Sequence, residues 1–187
     1  MPFHFKSLAI PEIIHIEPEV HGDERGFFAE IYRYPEFKNN GIGETFAQVS
    51  YSKSSKGIVR GLHYQKSPMA QGKLVSVMEG EIFDVAVDIR AGSPTYGRWV
   101  SATLNAEKKN MLYIPEGFAH GFCVLSQTVQ MVYYCTQVYS LEHERGIRWD
   151  DPGLNIAWPV KEPVLSKRDS AMPLLRDADN NFEYGKG

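Results

Sequence analysis

The run Arg60-Gly61-Leu62-His63-Tyr64-Gln65, followed eight residues later by Lys73, gathers a guanidinium, an imidazole and an ammonium in one short stretch. An imidazole titrates near neutrality, which suits His63 to general-base work, and an ammonium beside a carbonyl oxygen holds negative charge as it develops. Together with Arg60 as a fixed cation, these groups fit chemistry on an acidic, carbonyl-bearing substrate, on what read as neighbouring strands. A tyrosine completes the set by returning a proton to an enolate. Period-two alternation sends Tyr133 and Tyr134 to opposite faces of a strand, so only one of that pair can serve, and it separates His63 from Tyr64 in the same way. A base also wants a carboxylate on its second ring nitrogen. Local sequence leaves Asp84, Asp88 and Asp169 open for that part.

The elements that must position these residues are strands. Short runs rich in β-branched and aromatic residues cover 13–20, 27–32, 45–52, 57–64, 73–78, 81–89, 98–104, 110–115, 120–126 and 129–139, separated by Gly, Pro, Asn, Asp or Ser. Such spacing predicts an all-β sandwich or barrel, with Glu79-Gly80 as a hairpin turn between two of the clearest strands. Helix is confined to a turn or two at Pro35 to Gly41 and a short piece after Val164. The turn-rich stretch from Glu144 to Pro159 is expected to fold over the sandwich rather than to separate domains.

The 187 residues, 43% of them hydrophobic, suffice for one domain with its own core, residues 1–187. A net charge of −3 argues against a general nucleic-acid binder, so an anionic ligand must be met locally by a few arginines and lysines. No segment approaches the roughly 18 apolar residues of a membrane span. The N-terminus lacks the cationic start and apolar run of a signal peptide, and a cytoplasmic protein is expected. Cys123 and Cys135 lie in apolar runs without CxxC spacing and read as reduced core thiols.

Pro115-Glu116-Gly117-Phe118-Ala119-His120 resembles the second motif of the cupin superfamily, whose members are small jelly-roll barrels. Metal-binding cupins carry a His-x-His pair in the first motif. Here His63 is flanked at two residues by Gly61 and Gln65, so a two-histidine, one-carboxylate site is incompletely supplied and no metal is expected.

Within the cupins the chain resembles the dTDP-4-dehydrorhamnose 3,5-epimerases over nearly its whole length. The shared blocks are DERGFFAE (23–30), RGLHYQ (60–65), QGKLV (71–75), GEIFDVAVDIR (80–90), PTYGRW (94–99), IPEGFAHGF (114–122), ERGIRWDDP (144–152) and LSKRD (165–169). The resemblance implies a jelly-roll homodimer, needing no cofactor, that inverts the two carbons flanking the C4 ketone of a dTDP-linked 6-deoxy sugar. It assigns His63 as base, Asp169 as its carboxylate, Lys73 as enolate stabiliser and Tyr133 as proton donor. It places Arg25, Glu30, Gln48, Ser50, Arg60, His120, Glu144 and Arg168 at substrate-binding positions, and Tyr139 beside the base or the diphosphate. Ser50 stands where the family commonly has Asn, which removes an amide's paired donor and acceptor, and Arg168 stands for a lysine. Rival readings are an epimerase acting at C3 or C5 alone, a metal-dependent cupin enzyme, and a sugar-binding jelly-roll module without catalysis.

Overall fold

The computed structural model describes residues 2–185. Its strands are β1 (Phe3–Ser7), β2 (Ile14–Pro18), β3 (Val20–Asp23), β4 (Gly26–Ala29), β5 (Gln48–Ser55), β6 (Val59–Gln65), β7 (Lys73–Glu79), β8 (Glu81–Asp88), β9 (Trp99–Asn105), β10 (Met111–Ile114), β11 (Phe118–Val124), β12 (Thr128–Cys135) and β13 (Glu144–Gly146). Helix is limited to α1 (Tyr34–Asn39), α2 (Lys167–Ser170) and a 3-10 turn at Leu175–Asp177. A six-stranded sheet in the order β1-β2-β10-β7-β12-β5 faces a five-stranded sheet in the order β13-β6-β11-β8-β9. Neighbours pair antiparallel and are mostly non-consecutive in the chain, which is the jelly-roll pattern expected.

Three apolar layers hold the sandwich. Between the sheets, Val75, Val77, Met131 and Val129 meet Ile82, Ala86, Phe122 and Val124. The outer face of the six-stranded sheet packs Leu74, Met111 and Tyr113 against Phe37 of α1 and Ile42. The outer face of the five-stranded sheet packs Leu62, Tyr64, Val85 and Val87 under Ile147, Leu154, Ile156 and Trp158, so the stretch after β13 does fold over the sandwich. With both faces covered, β8 carries no apolar-polar alternation and reads as a near-continuous apolar run. The two polar exceptions on its inner face, Asp84 and Asp88, are fully buried. Asp88 is bonded to Arg90, Ser93 and Thr95, which stitch the following loop to the end of the strand. Cys123 and Cys135 are buried free thiols. Among the described residues no helix is long and apolar enough to cross a membrane.

Three details differ from the sequence reading. The segment 13–20 breaks at Pro18, where a ladder N–H is lost, and its last residue begins a separate two-stranded hairpin, β3-β4, that belongs to neither large sheet. Glu79-Gly80 is not a hairpin turn: β7 ends in the six-stranded sheet and β8 begins in the five-stranded one, so the chain turns a corner between layers. Consequently His63 on β6 and Lys73 on β7 are not on neighbouring strands but lie in opposite sheets.

The corner requires glycine. Gly80 sits at φ +83°, and a Cβ there would lie 2.1 Å from the carbonyl oxygen of Thr128 and 2.4 Å from the Ser126 hydroxyl. Gly80→Ala is expected to destabilise the fold by more than about 1 kcal/mol, since the left-handed strain and the backbone clash add. Urea denaturation checks this, and an unchanged midpoint would mean that the corner relaxes freely.

Candidate active site

One end of the inter-sheet space is polar, and the first reason lies in an irregularity of β6. Strict alternation would put Arg60 and His63, three residues apart, on opposite faces. However, His63 pairs with His120 and Arg60 with Phe122, so three steps on β6 match two on β11. The bulge re-phases the strand and turns both side chains inward. It is housed by close backbone approach: a Cβ on Gly61 would lie 2.5 Å from the Cα of Gly121. The glycine of Arg-Gly-x-His and the one following His120 are therefore two halves of one contact.

His63 Nε2 lies 2.6 Å from Asp169 Oδ1. Val164 bonds backbone to backbone with Gly57 and Val59, which docks the C-terminal segment beside β6. Ser166 then caps α2, accepting from the Asp169 N–H at 3.0 Å, and aims the carboxylate at the ring. Burial pushes the Asp169 carboxyl up, yet the bond to His63 and the charges of His63 and Arg168 hold it below its ordinary value. The Asp169 side chain is only 5% exposed and His63 27%, so the imidazole is anchored on one side and open on the other.

His120, next to His63 across the ladder, makes the second such pair, with Asp84 at 2.9 and 3.1 Å. Of the three carboxylates left open by sequence, Asp169 serves His63, Asp84 serves His120, and Asp88 serves Arg90. Asp84 is thus a site residue whose place sequence reasoning did not identify. Both imidazoles spend Nε2 on a carboxylate, and among the described residues no three His, Cys, Asp or Glu side chains converge as metal ligands.

The opposite wall supplies a phenol and an ammonium. Tyr133 points inward, its ring edge-on to His120 at 6.5 Å between centroids, while Tyr134 packs outward with Tyr32 and Phe46. Burial pushes the Tyr133 phenol up to about 12, against a lowering by the Ser52 hydroxyl, 3.0 Å away. Lys73 is half-buried, and the protein packed around it withholds water. Desolvation therefore draws its ammonium below the ordinary value, while the fields of Cys135, Glu144 and Asp84 oppose the drop.

At the mouth, Tyr139 O–H donates to Glu144 at 2.5 Å and Arg168 pairs with the same carboxylate oxygen at 2.6 Å. Gln48 spans two elements, donating to Ser50 at 2.9 Å and accepting from the Tyr139 N–H at 2.8 Å. Buried Gln65, the last residue of the opening motif, fixes the same loop by bonding Val138 and Ser140. Its amide satisfies the backbone groups of Met69, Val138 and Ser140, which is the structural reason a polar residue is buried there. Arg60 donates to Ser54 at 3.0 Å.

Arg25 and Glu30 stand apart from this group. Arg25, 85% exposed, pairs with Asp23 inside the β3-β4 hairpin, and Glu30 pairs with Arg33. Between them Phe27 and Phe28 are 64% and 66% exposed.

The assembled walls hold an oriented base on one sheet and a protonated phenol with a cation on the other. That arrangement suits removal of a proton α to a carbonyl, retention of the enolate, and delivery of a proton from the far side. Because Asp169 is held below its unfolded pKa, its contribution to stability is full above about pH 4 and is lost as pH falls below that. Thermal unfolding from pH 7 to pH 3 is expected to show the wild type's advantage over Asp169→Asn shrinking below pH 4. A constant gap would mean that the folded protein does not hold this carboxylate ionised.

Comparison with known proteins converges on one family. The model of the dTDP-4-dehydrorhamnose 3,5-epimerase family matches residues 7–177. The dTDP-4-dehydrorhamnose 3,5-epimerase of Shigella flexneri is 53% identical over 171 residues, 91% of this chain and 94% of that protein. The crystal structure of the Legionella pneumophila dTDP-6-deoxy-D-glucose-3,5-epimerase, in complex with dTDP-4-keto-L-rhamnose, superposes with a TM-score of 0.90 at 49% identity, covering 93% of each chain. A 3'-monoepimerase from Streptomyces bikiniensis in complex with dTDP-quinovose superposes at 0.86 with 36% identity, covering 91% of this chain and 87% of that one. With the family model spanning most of its length and relatives near half identity, this chain belongs to the dTDP-4-dehydrorhamnose 3,5-epimerase family.

Proposed function

We propose that the protein epimerises dTDP-4-dehydro-6-deoxy-D-glucose at C3 and C5, giving dTDP-4-dehydro-L-rhamnose. The observation that carries the reading is His63 of β6, bonded to Asp169 of α2, in the sheet opposite the one that carries Tyr133 and Lys73. His63 takes the proton α to the C4 ketone, and Asp169 stabilises the imidazolium that results. Lys73 meets the oxygen on which the enolate charge gathers. Tyr133 delivers a proton to the same carbon from the opposite side and inverts it. Proton exchange with solvent restores base and acid, and the sequence repeats at the second carbon. Every step uses side chains of this chain.

Arg60 and Arg168 suit a diphosphate, where a planar fork of donors matches two phosphate oxygens. His120, Gln48, Ser50, Tyr139 and Glu144 line the way in and hold the nucleotide-sugar. Arg25 and Glu30 act on a neighbouring copy: their hairpin, with its two exposed phenylalanines, presents an apolar patch that a homodimer would cover. The two unpaired thiols accord with a reducing compartment, and the protein works in the cytoplasm.

The test is incubation with the substrate in heavy water, followed by NMR. Deuterium is expected at both C3 and C5 of the product. Label at one carbon alone would make this a mono-epimerase, and label at neither would overturn the reaction. His63→Ala is expected to lower kcat by about 10²- to 10⁴-fold, the usual share of a general base. Normal turnover in that variant would remove His63 from the role of base.

A further inference from the structure

The edge strand β5 carries Gln48, Ser50, Ser52 and Ser54 on its inner face, alternating with exposed Val49, Tyr51 and Lys53. Three hydroxyls in a row at period two therefore look into the site, and each meets a side chain placed there. Ser50 accepts from Gln48 at 2.9 Å, Ser52 lies 3.0 Å from the Tyr133 phenol, and Ser54 accepts from Arg60 Nε at 3.0 Å. Serine has low strand propensity beside Val, Ile or Thr, so this pattern does not serve the strand itself.

We propose that Ser52 is a positioning residue for Tyr133, presenting its hydroxyl proton to the phenolic oxygen at the moment the phenol gives up its own. The inference rests on the reading of Tyr133 as the proton donor. Its physical ground is the phenolate that the donation leaves behind. Among the described residues the Tyr133 oxygen has two neighbours within bonding reach, the Ser52 hydroxyl at 3.0 Å and the Met131 sulfur at 3.6 Å. A thioether only accepts, so it has nothing to offer a phenolate. A hydroxyl donates or accepts by rotating its hydrogen, and it follows the phenol through both states. Burial disfavours the anion here, and the charge of Arg60, itself aimed by Ser54, works in the same direction as the Ser52 bond. Without Ser52 the phenol's remaining partner is Met131, which accepts a hydrogen bond and offers none.

The balance is simple. The Tyr133 O–H bond breaks, a C–H bond forms on the enolate carbon, and the electron pair of the broken bond stays on the phenolic oxygen, where the Ser52 O–H stabilises it. Abstraction by His63 precedes this step and does not involve Ser52. The two roles therefore separate in one experiment.

Wild type, Ser52→Ala, Tyr133→Phe and the double variant are incubated with dTDP-4-dehydro-6-deoxy-D-glucose in heavy water. NMR follows deuterium entering substrate of unchanged configuration, which reports abstraction and return by His63, alongside inverted product. A bond to a charged oxygen corresponds to about a 10- to 100-fold effect. Ser52→Ala is expected to slow inversion by that factor while exchange with retention stays within about twofold, and to add nothing in the Tyr133→Phe background. The pair Ser52→Thr and Ser52→Val differs in the hydroxyl while keeping a β-branched strand former, and covers the case of a poorly folding alanine variant. Thr is expected to retain inversion and Val to lose it. Equal losses of exchange and inversion, an undiminished penalty in the double variant, or equal Thr and Val rates would overturn the proposal. A wild type without any exchange would instead overturn the reaction on which it rests.

Discussion

The hydrogen bond between His63 and Asp169 joins residues 106 positions apart, and the rest of the site is arranged around it. It exists because the chain beyond β13 returns across the five-stranded sheet, buries Leu154 and packs half-buried Trp158 on that sheet's outer face, and docks Val164 beside β6. The apolar layer outside the sandwich thus positions a carboxylate inside it. Loss of that packing would free Asp169 from His63 although the packed surface lies outside the sandwich.

A second consequence follows from placing the site between two sheets rather than on one. β6 and β11 supply the imidazoles, with carboxylates from β8 and α2, whereas β5, β7 and β12 supply hydroxyls, the phenol and the ammonium. A flat substrate ring held between the walls would have a base on one face and an acid on the other. Desolvation acts oppositely on the two groups of the second wall: it raises the phenol to about 12 and lowers the ammonium. Tyr133 therefore stays protonated at neutral pH, available as a donor to a carbanionic carbon. Lys73 is poised so that charge arriving on a nearby oxygen restores what burial has taken from its ammonium.

Much of this was legible in the chain. Runs of Val, Ile, Phe and Tyr broken by Gly and Pro mark the strands, and simple alternation separates His63 from Tyr64 and Tyr133 from Tyr134. What stayed hidden has specific causes. Alternation fails between Arg60 and His63 because a bulge adds a residue, and a bulge depends on the approach of Gly121 from another strand. Glu79-Gly80 resembles a hairpin because glycine at positive φ serves a two-residue turn and a corner between layers equally well. The three aspartates could not be told apart because β8 carries two of them in phase, and only the fold decides which imidazole or guanidinium each one meets.

Ser50, where the sequence resemblance leads one to expect Asn, is held in a local tie. An asparagine there would bring both a donor and an acceptor to the cavity, whereas the serine hydroxyl accepts from Gln48, whose carbonyl in turn holds the Tyr139 N–H. The shorter side chain thereby becomes part of the tie between the edge strand and the loop that carries Tyr139 and leads to Glu144. Tyr139 donates to Glu144, and Glu144 holds Arg168, one residue before Asp169. A chain of contacts consequently runs from β5 around the mouth to α2 and back to the carboxylate that orients His63. The side chains at the rim and the His63–Asp169 pair are parts of one connected set of contacts.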